Sequence, residues 1–281
     1  MNPTLFPLRD QRVVGRRAFV GASLSFAAAA LLSNARLRAA SKPSFSADPF
    51  SLGIASGDPT PDGVVLWTRL APRPLEPGGG MRPEPVEVTW VVADDEALTK
   101  VVASGSVVAN PAWGHSVHVE VSGLRPDRWY FYQFRAGGVE SPKGRNRTMP
   151  AADSRPERLR FAFASCQNFE SGHYTVYQHM AREDLDLVVH LGDYIYEGAA
   201  HRGRPRVHNG GEIFTLEDYR LRYALYKSDP ALRAAHAMAP WIVTWDDHEV
   251  ANNYAGDIPD KPASRDEFLR RRAAAYQAYF E

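Results

Sequence analysis

LDLVVHLGDYIYE, residues 185–197, contains an almost unbroken apolar run that turns abruptly into carboxylates and phenols. Leu185–Leu191 is short and rich in Val and Leu, with His190 inside it. Such a run reads as a strand buried on both faces, as in a parallel sheet covered by helices. At Gly192 the apolar run stops, and Asp193, Tyr194, Tyr196 and Glu197 follow. Two other stretches share this grammar. Leu159 and RFAFASCQN (160–168) make a strand over Leu159–Ala164 that ends in Ser165-Cys166-Gln167. A third strand, Trp241–Trp245, ends in Asp246-Asp247-His248-Glu249, with Asn252 and Asn253 just beyond.

Between and after these strands, helices are predicted over Tyr174–Arg182, Leu216–Tyr226, Asp229–His236 and Arg265–Phe280, the last with Asp266 and Glu267 in its first turn. Strands alternating with helices imply an α/β unit on a parallel sheet. Residues 48–150 follow different rules. Short β-type runs at Val64–Arg69, Val86–Val92, Val101–Val108, Ser116–Val121 and Trp129–Ala136 are separated by turn clusters such as Asp58-Pro59-Thr60-Pro61-Asp62-Gly63. This spacing predicts a β-sandwich. Leu124–Tyr130 resembles the tyrosine-corner region of fibronectin type III domains, and Gly144–Pro150 looks like the closing strand of such a module. Residues 151–157 form a polar linker, and the Gly/Pro stretch near residue 78 reads as disordered. The expected organisation is therefore an α+β two-domain chain: residues 1–40 a signal segment, 41–151 a fibronectin III-like β-sandwich, and 152–281 a partial α/β domain.

Lys+Arg and Asp+Glu both number 33, so the formal net charge is zero. This argues against a nucleic-acid or anionic-membrane binder, which draws its affinity from excess basic charge. The single cysteine rules out an intrachain disulfide. Near the N-terminus, Gly15-Arg16-Arg17-Ala18-Phe19-Val20 precedes an Ala-rich segment reaching Leu32, and Ser33-Asn34-Ala35 offers a small-x-small cleavage site. Paired Arg before a short apolar stretch is the twin-arginine export pattern, so a periplasmic or secreted location is expected, with no stable membrane anchor after signal removal. An exported chain that keeps one unpaired thiol needs a reason for keeping it.

The three strand ends supply one. Ligands of open α/β sheets sit beyond the carboxyl ends of the strands, so parallel neighbours would gather a thiol, carboxylates, phenols, an imidazole and amides at one edge. Taken singly, Cys166 is a small buried hydrophobe, Asp193 a turn cap, Asp246 and Asp247 helix N-caps, Tyr194 and Tyr196 packing aromatics, and His190 a satisfied core histidine. Taken together they describe a metal site. Thiolate, carboxylate and phenolate suit a highly charged transition metal, whereas carboxylates and amide oxygens suit a hard ion. Arg202 and Arg204, in the Gly/Pro-rich loop 198–212, are candidates for steering an anionic substrate; a solvated basic loop is the plainer reading.

FAFASCQ, VVHLGDYIYE and TWDDHEVANNYAG, in this order, resemble the PhoD-like alkaline phosphatase/phosphodiesterase family, a branch of the metallophosphoesterases; SGDPTPDGVVLWTRL and the twin-arginine segment resemble its N-terminal region. The resemblance implies an exported phosphomonoesterase/phosphodiesterase that acts on phosphate esters by in-line attack and uses Fe³⁺ with Ca²⁺. It also implies that Cys166 and Tyr196 ligate the iron, that Asp193 bridges iron and calcium, that Asp247, with Asn252 and Asn253, serves the second metal, and that His248 is catalytic. Members of the family continue with further strands and a later Asp/His segment, so the chain is expected to be an N-terminal fragment, inactive alone, with exposed apolar sheet and helix faces. The competing expectation is a non-catalytic exported binding or metal-binding protein.

Overall fold

The computed structural model describes residues 43–281; the proposed signal segment lies outside the described residues. In the N-terminal region the strands are β1 (Ile54–Gly57), β2 (Gly63–Arg69), β3 (Val86–Ala93), β4 (Val101–Ala109), β5 (Ser116–Ser122), β6 (Trp129–Ala136), β7 (Val139–Glu140) and β8 (Gly144–Arg147). Then follow β9 (Phe161–Ala164), helix α1 (Thr175–Met180), β10 (Leu187–His190), α2 (Leu216–Lys227), α3 (Pro230–Met238), β11 (Trp241–Val243) and α4 (Arg265–Phe280). No helix among the described residues is long and apolar enough to cross a membrane.

Two sheets organise these strands. The smaller runs β4-β3-β6-β7, with β8 also paired to β6, and is antiparallel. The larger runs β5-β2-β1-β11-β10-β9. Its β5-β2-β1 part is antiparallel, and its β11-β10-β9 part is parallel, as the alternation of strands and helices predicts. Alternate residues of the two sheets meet in one core: Val64, Leu66, Val117 and Val119 from one side, Val88, Tyr132 and Phe134 from the other. The joint between the sheet's two halves is a single parallel pairing, Gly57 with Trp241. The sheet thus runs across the 151–157 linker, and residues 44–281 form one compact unit.

Each helix start has a local cause. Thr215 and Asp218 make a capping box for α2, and Ser264 and Glu267 make another for α4. Asp229 caps α3, which begins at Pro230, where the missing N–H costs nothing. These helices bury Tyr177, Tyr219, Tyr226, Leu232 and Phe268 against Val188 and Trp241 of the parallel strands. Leu232 alone, fully enclosed, contributes about 1.5–3 kcal/mol of burial.

Two expectations are corrected. The parallel strands are not covered on both faces: among the described residues all the helices pack on the Val188–Trp241 side, while Phe161 and Phe163 of β9 are 55% and 68% exposed and Ile242 of β11 is 40% exposed. The Gly/Pro stretch near residue 78 is a tight turn with Gly78 and Gly79 in left-handed backbone, and the Gly78 N–H donates to the Glu217 carboxylate at 2.8 Å.

Candidate metal centre

The carboxyl ends of β9, β10 and β11 lie side by side because their registers align, Ala164 beside His190 and His190 beside Val243. Backbone bonds continue past the strand ends: the Cys166 N–H donates to Gly192 O and the Gln167 N–H to Asp193 O, each at 3.1 Å. Cys166, Asp193 and Asn253 all adopt left-handed backbone, with φ of 52°, 56° and 56°. Each such non-glycine residue costs on the order of 1 kcal/mol, and three of the seven among the described residues sit at the candidate site. Gly192, at φ 101°, lets the β10 end pass against Asp246, where a Cβ would stand 2.5 Å from the Asp246 Cβ.

Asp193, Asp247 and His248 bring one donor atom each to within 4.8 Å of one another, the only such group of three among the described residues. Asp193 is buried. Its Oδ2 accepts a 3.0 Å bond from the Tyr196 phenol, while its Oδ1 is enclosed and has no partner among the described residues. Burial raises the Asp193 carboxyl above its ordinary value, against the neighbouring Cys166, His248 and Tyr196. Burial also raises the Tyr196 phenol, and the Asp193 charge adds to the rise. Asp247 goes the other way: burial opposes ionisation, but the Asn253 N–H on its Oδ2 at 2.5 Å, together with His248, holds it low. A buried, unpartnered carboxylate oxygen beside a second carboxylate calls for a cation. Thiol, phenol and carboxylate donors fit a ferric ion, and carboxylates with amide oxygens fit calcium.

His248 stacks on Tyr196 with ring centroids 4.1 Å apart. Its Nδ1 lies 2.7 Å from Glu197 Oε2, and the other Glu197 oxygen accepts the Asn252 N–H at 2.8 Å. Burial opposes the imidazolium, yet Glu197, Asp193 and Asp247 raise His248 above its usual value.

Of the residues singled out from the sequence, Cys166, Asp193, Tyr196, Asp247 and His248 gather at the strand ends. Cys166 is exposed and lies beside both the Asp193 carboxyl and the Tyr196 phenol. Asn252 and Asn253 join through backbone N–H groups. Arg202 and Arg204 do not join: both are exposed on the 198–212 loop and make no hydrogen bond or ion pair among the described residues. His190 is buried, but it is not the satisfied histidine expected. Neither ring nitrogen has a partner among the described residues; it lies between the Tyr194 and Trp241 rings, and burial lowers it to about 4.

Two glutamates were missed as site residues. Glu197 orients His248. Glu249, buried, accepts the Tyr194 N–H at 2.5 Å and the Asp246 N–H at 2.8 Å, tying the second strand end to the third. Both lie inside the motifs, and their burial and reach show only in the fold.

The PhoD-like phosphatase family model matches residues 161–281, and the N-terminal domain of the same family matches residues 36–150. Alkaline phosphatase D of Bacillus subtilis (strain 168) is 52% identical over 278 residues, covering 97% of this chain and 47% of that protein. A solved structure of PhoD superposes with a TM-score of 0.82 at 56% identity, covering 85% of this chain and 46% of that one. The chain therefore spans about half the length of the relatives it matches. Both stretches of the chain carry the same family's signature on the same fold, and the chain belongs to the PhoD-like phosphatase family.

Proposed function

We propose that this chain carries the metal-binding edge of an exported, metal-dependent phosphomonoesterase/phosphodiesterase. The observation that carries the reading is the enclosed, unpartnered Asp193 oxygen facing Asp247 and His248. Cys166 and Tyr196 would hold Fe³⁺, Asp193 would serve both ions, and Asp247 with Asn252 and Asn253 would hold Ca²⁺. When bound, the two ions supply Lewis-acid neutralisation of the charge on the phosphate ester. His248, anchored at Nδ1 by Glu197, carries the imidazolium proton on Nε2 and gives it to the leaving alkoxide as a water oxygen attacks phosphorus in line from the opposite side, the water's own proton passing to solvent. Asp247, held ionised by the Asn253 N–H, keeps its charge in the site. Arg202 and Arg204, exposed nearby in sequence, attract the anionic substrate at longer range.

The same proposal includes twin-arginine export to the periplasm or medium, and a fibronectin III-like character for residues 41–151. For the latter, the Tyr130 phenol accepts the Arg125 N–H at 2.9 Å, the bond expected of a tyrosine corner. The test is metal analysis, the visible spectrum and bis-p-nitrophenyl phosphate turnover of the longest polypeptide the gene encodes. Bound iron and calcium with a phenolate charge-transfer band that Tyr196→Phe removes are expected. Turnover by a colourless, iron-free protein overturns the ligand assignment.

A further inference from the structure

A cavity of about 720 Å³ opens between β1, β2 and the helices and reaches Val243 and Trp245 at the end of β11, within the size range of small-molecule pockets. None of the proposed metal ligands lines it. Its walls include Val65, Trp67, Trp241 and Tyr223, and into them projects the last residue of α2, Lys227. Asp58, Arg69, Glu120 and Glu281 are also in the lining, none of them paired with Lys227. Lys227 is 8% exposed, and among the described residues its Nζ makes no hydrogen bond and no ion pair. Its one polar interaction is with the face of Trp67, whose ring centroid lies 4.1 Å away.

That contact does not balance the charge. A desolvated cation–π pair contributes about 2 kcal/mol, whereas taking an ammonium out of water costs several kcal/mol. Nearby Arg233 adds repulsion, and burial pushes the Lys227 amine down to about 7. Two more polar atoms of the lining, Tyr223 OH and His236 Nδ1, are enclosed without partners among the described residues. Water entering the cavity could solvate the amine, but it brings no opposite charge and finds mostly aromatic and aliphatic walls. The complementary occupant has an apolar body and one anionic head.

We propose that this cavity is a ligand site for a small carboxylate with an acyl or aryl body, its head on Lys227 Nζ and its body against Trp67 and Trp241. The site is separate from the proposed phosphoesterase centre and does not depend on it. A carboxylate at Lys227 turns an uncompensated ammonium into a charge-assisted pair, the strong class of hydrogen bond.

The probe pair is octanoate and octanamide, equal in chain length and differing in charge, titrated calorimetrically into the longest polypeptide the gene encodes. One octanoate per chain, bound at least tenfold more tightly than octanamide, is expected. Lys227→Met should abolish the preference without lowering the melting temperature. Equal affinities, no binding of either probe, or a preference that survives in K227M overturns the proposal. The wild-type comparison alone decides it if K227M does not fold.

Discussion

Glu197 holds His248 from below: one carboxylate oxygen lies 2.7 Å from the imidazole Nδ1, and the other accepts the Asn252 N–H. The pair fixes both the ring's orientation and its charge, because Glu197 is among the groups that raise His248 despite burial. Glu197→Gln keeps the shape and removes the charge. In the full-length enzyme, kcat should fall by about 10–100-fold, the usual cost of losing a partner that orients a site residue. The sign of the pH effect follows from the direction of the shift. Without Glu197, His248 loses its proton at lower pH, so the alkaline limb of the kcat profile should move toward acid. An unmoved limb would show that His248 does not work as the acid.

Gly192 is the hinge on which the second strand end turns toward the third. Gly192→Ala places a Cβ 2.5 Å from the Asp246 Cβ at a φ of 101°, where no L side chain rests easily. A loss of about 3 kcal/mol or more is expected in urea unfolding, together with loss of bound metal. Gly198→Ala, with open space around its Cβ, is the matched control and should cost under about 1 kcal/mol.

Arg222 is fully buried and organises the loop after β10, donating to the carbonyls of Tyr196, Gly198 and Gly211. Arg222→Met leaves those acceptors unpaired, at about 3 kcal/mol in total. Trypsin cleavage after Arg202, which precedes Gly203, should accelerate in the variant, read by mass spectrometry of the fragments.

Glu170 pins the same loop from its other end. Burial opposes its charge, but the His208 and His201 N–H groups and the His201 ring hold the carboxyl down at about 2. Because the folded value lies below the ordinary 4.5, the stabilisation is complete above that pH and disappears as pH falls toward 2. Glu170→Gln should therefore cost on the order of 2 kcal/mol at pH 7, with the gap to wild type narrowing from pH 4.5 downward. Urea midpoints at pH 7 and pH 3 measure it. A gap that stays constant with pH would assign the loss to packing.

Much of this architecture was legible because local period and burial agree. Leu187–His190 and Trp241–Val243 read as strands from their apolar runs, and the capping pairs Thr215/Asp218 and Ser264/Glu267 mark two helix starts in plain sequence. Cys166, Asp193, Tyr196, Asp247 and His248 could be gathered on paper because parallel strands end at a common edge. β1 could not be foreseen: Ile54-Ala55-Ser56-Gly57 has neither alternation nor length, and its strand character comes from its neighbours β2 and β11. Glu197 and Glu249 were hidden for a related reason. Each reaches across to a residue more than 50 positions away, and no local pattern encodes that reach.

The single pairing of Gly57 with Trp241 also sets an order of events during synthesis. The two residues are 184 positions apart, so the larger sheet cannot be completed until Trp241 has left the ribosome. Until then the open edge of β1 is a free strand edge, exposed to wrong partners. The antiparallel strands and their shared core need no residue beyond Arg147, so they can assemble first, and the parallel half then adds to the waiting edge of β1.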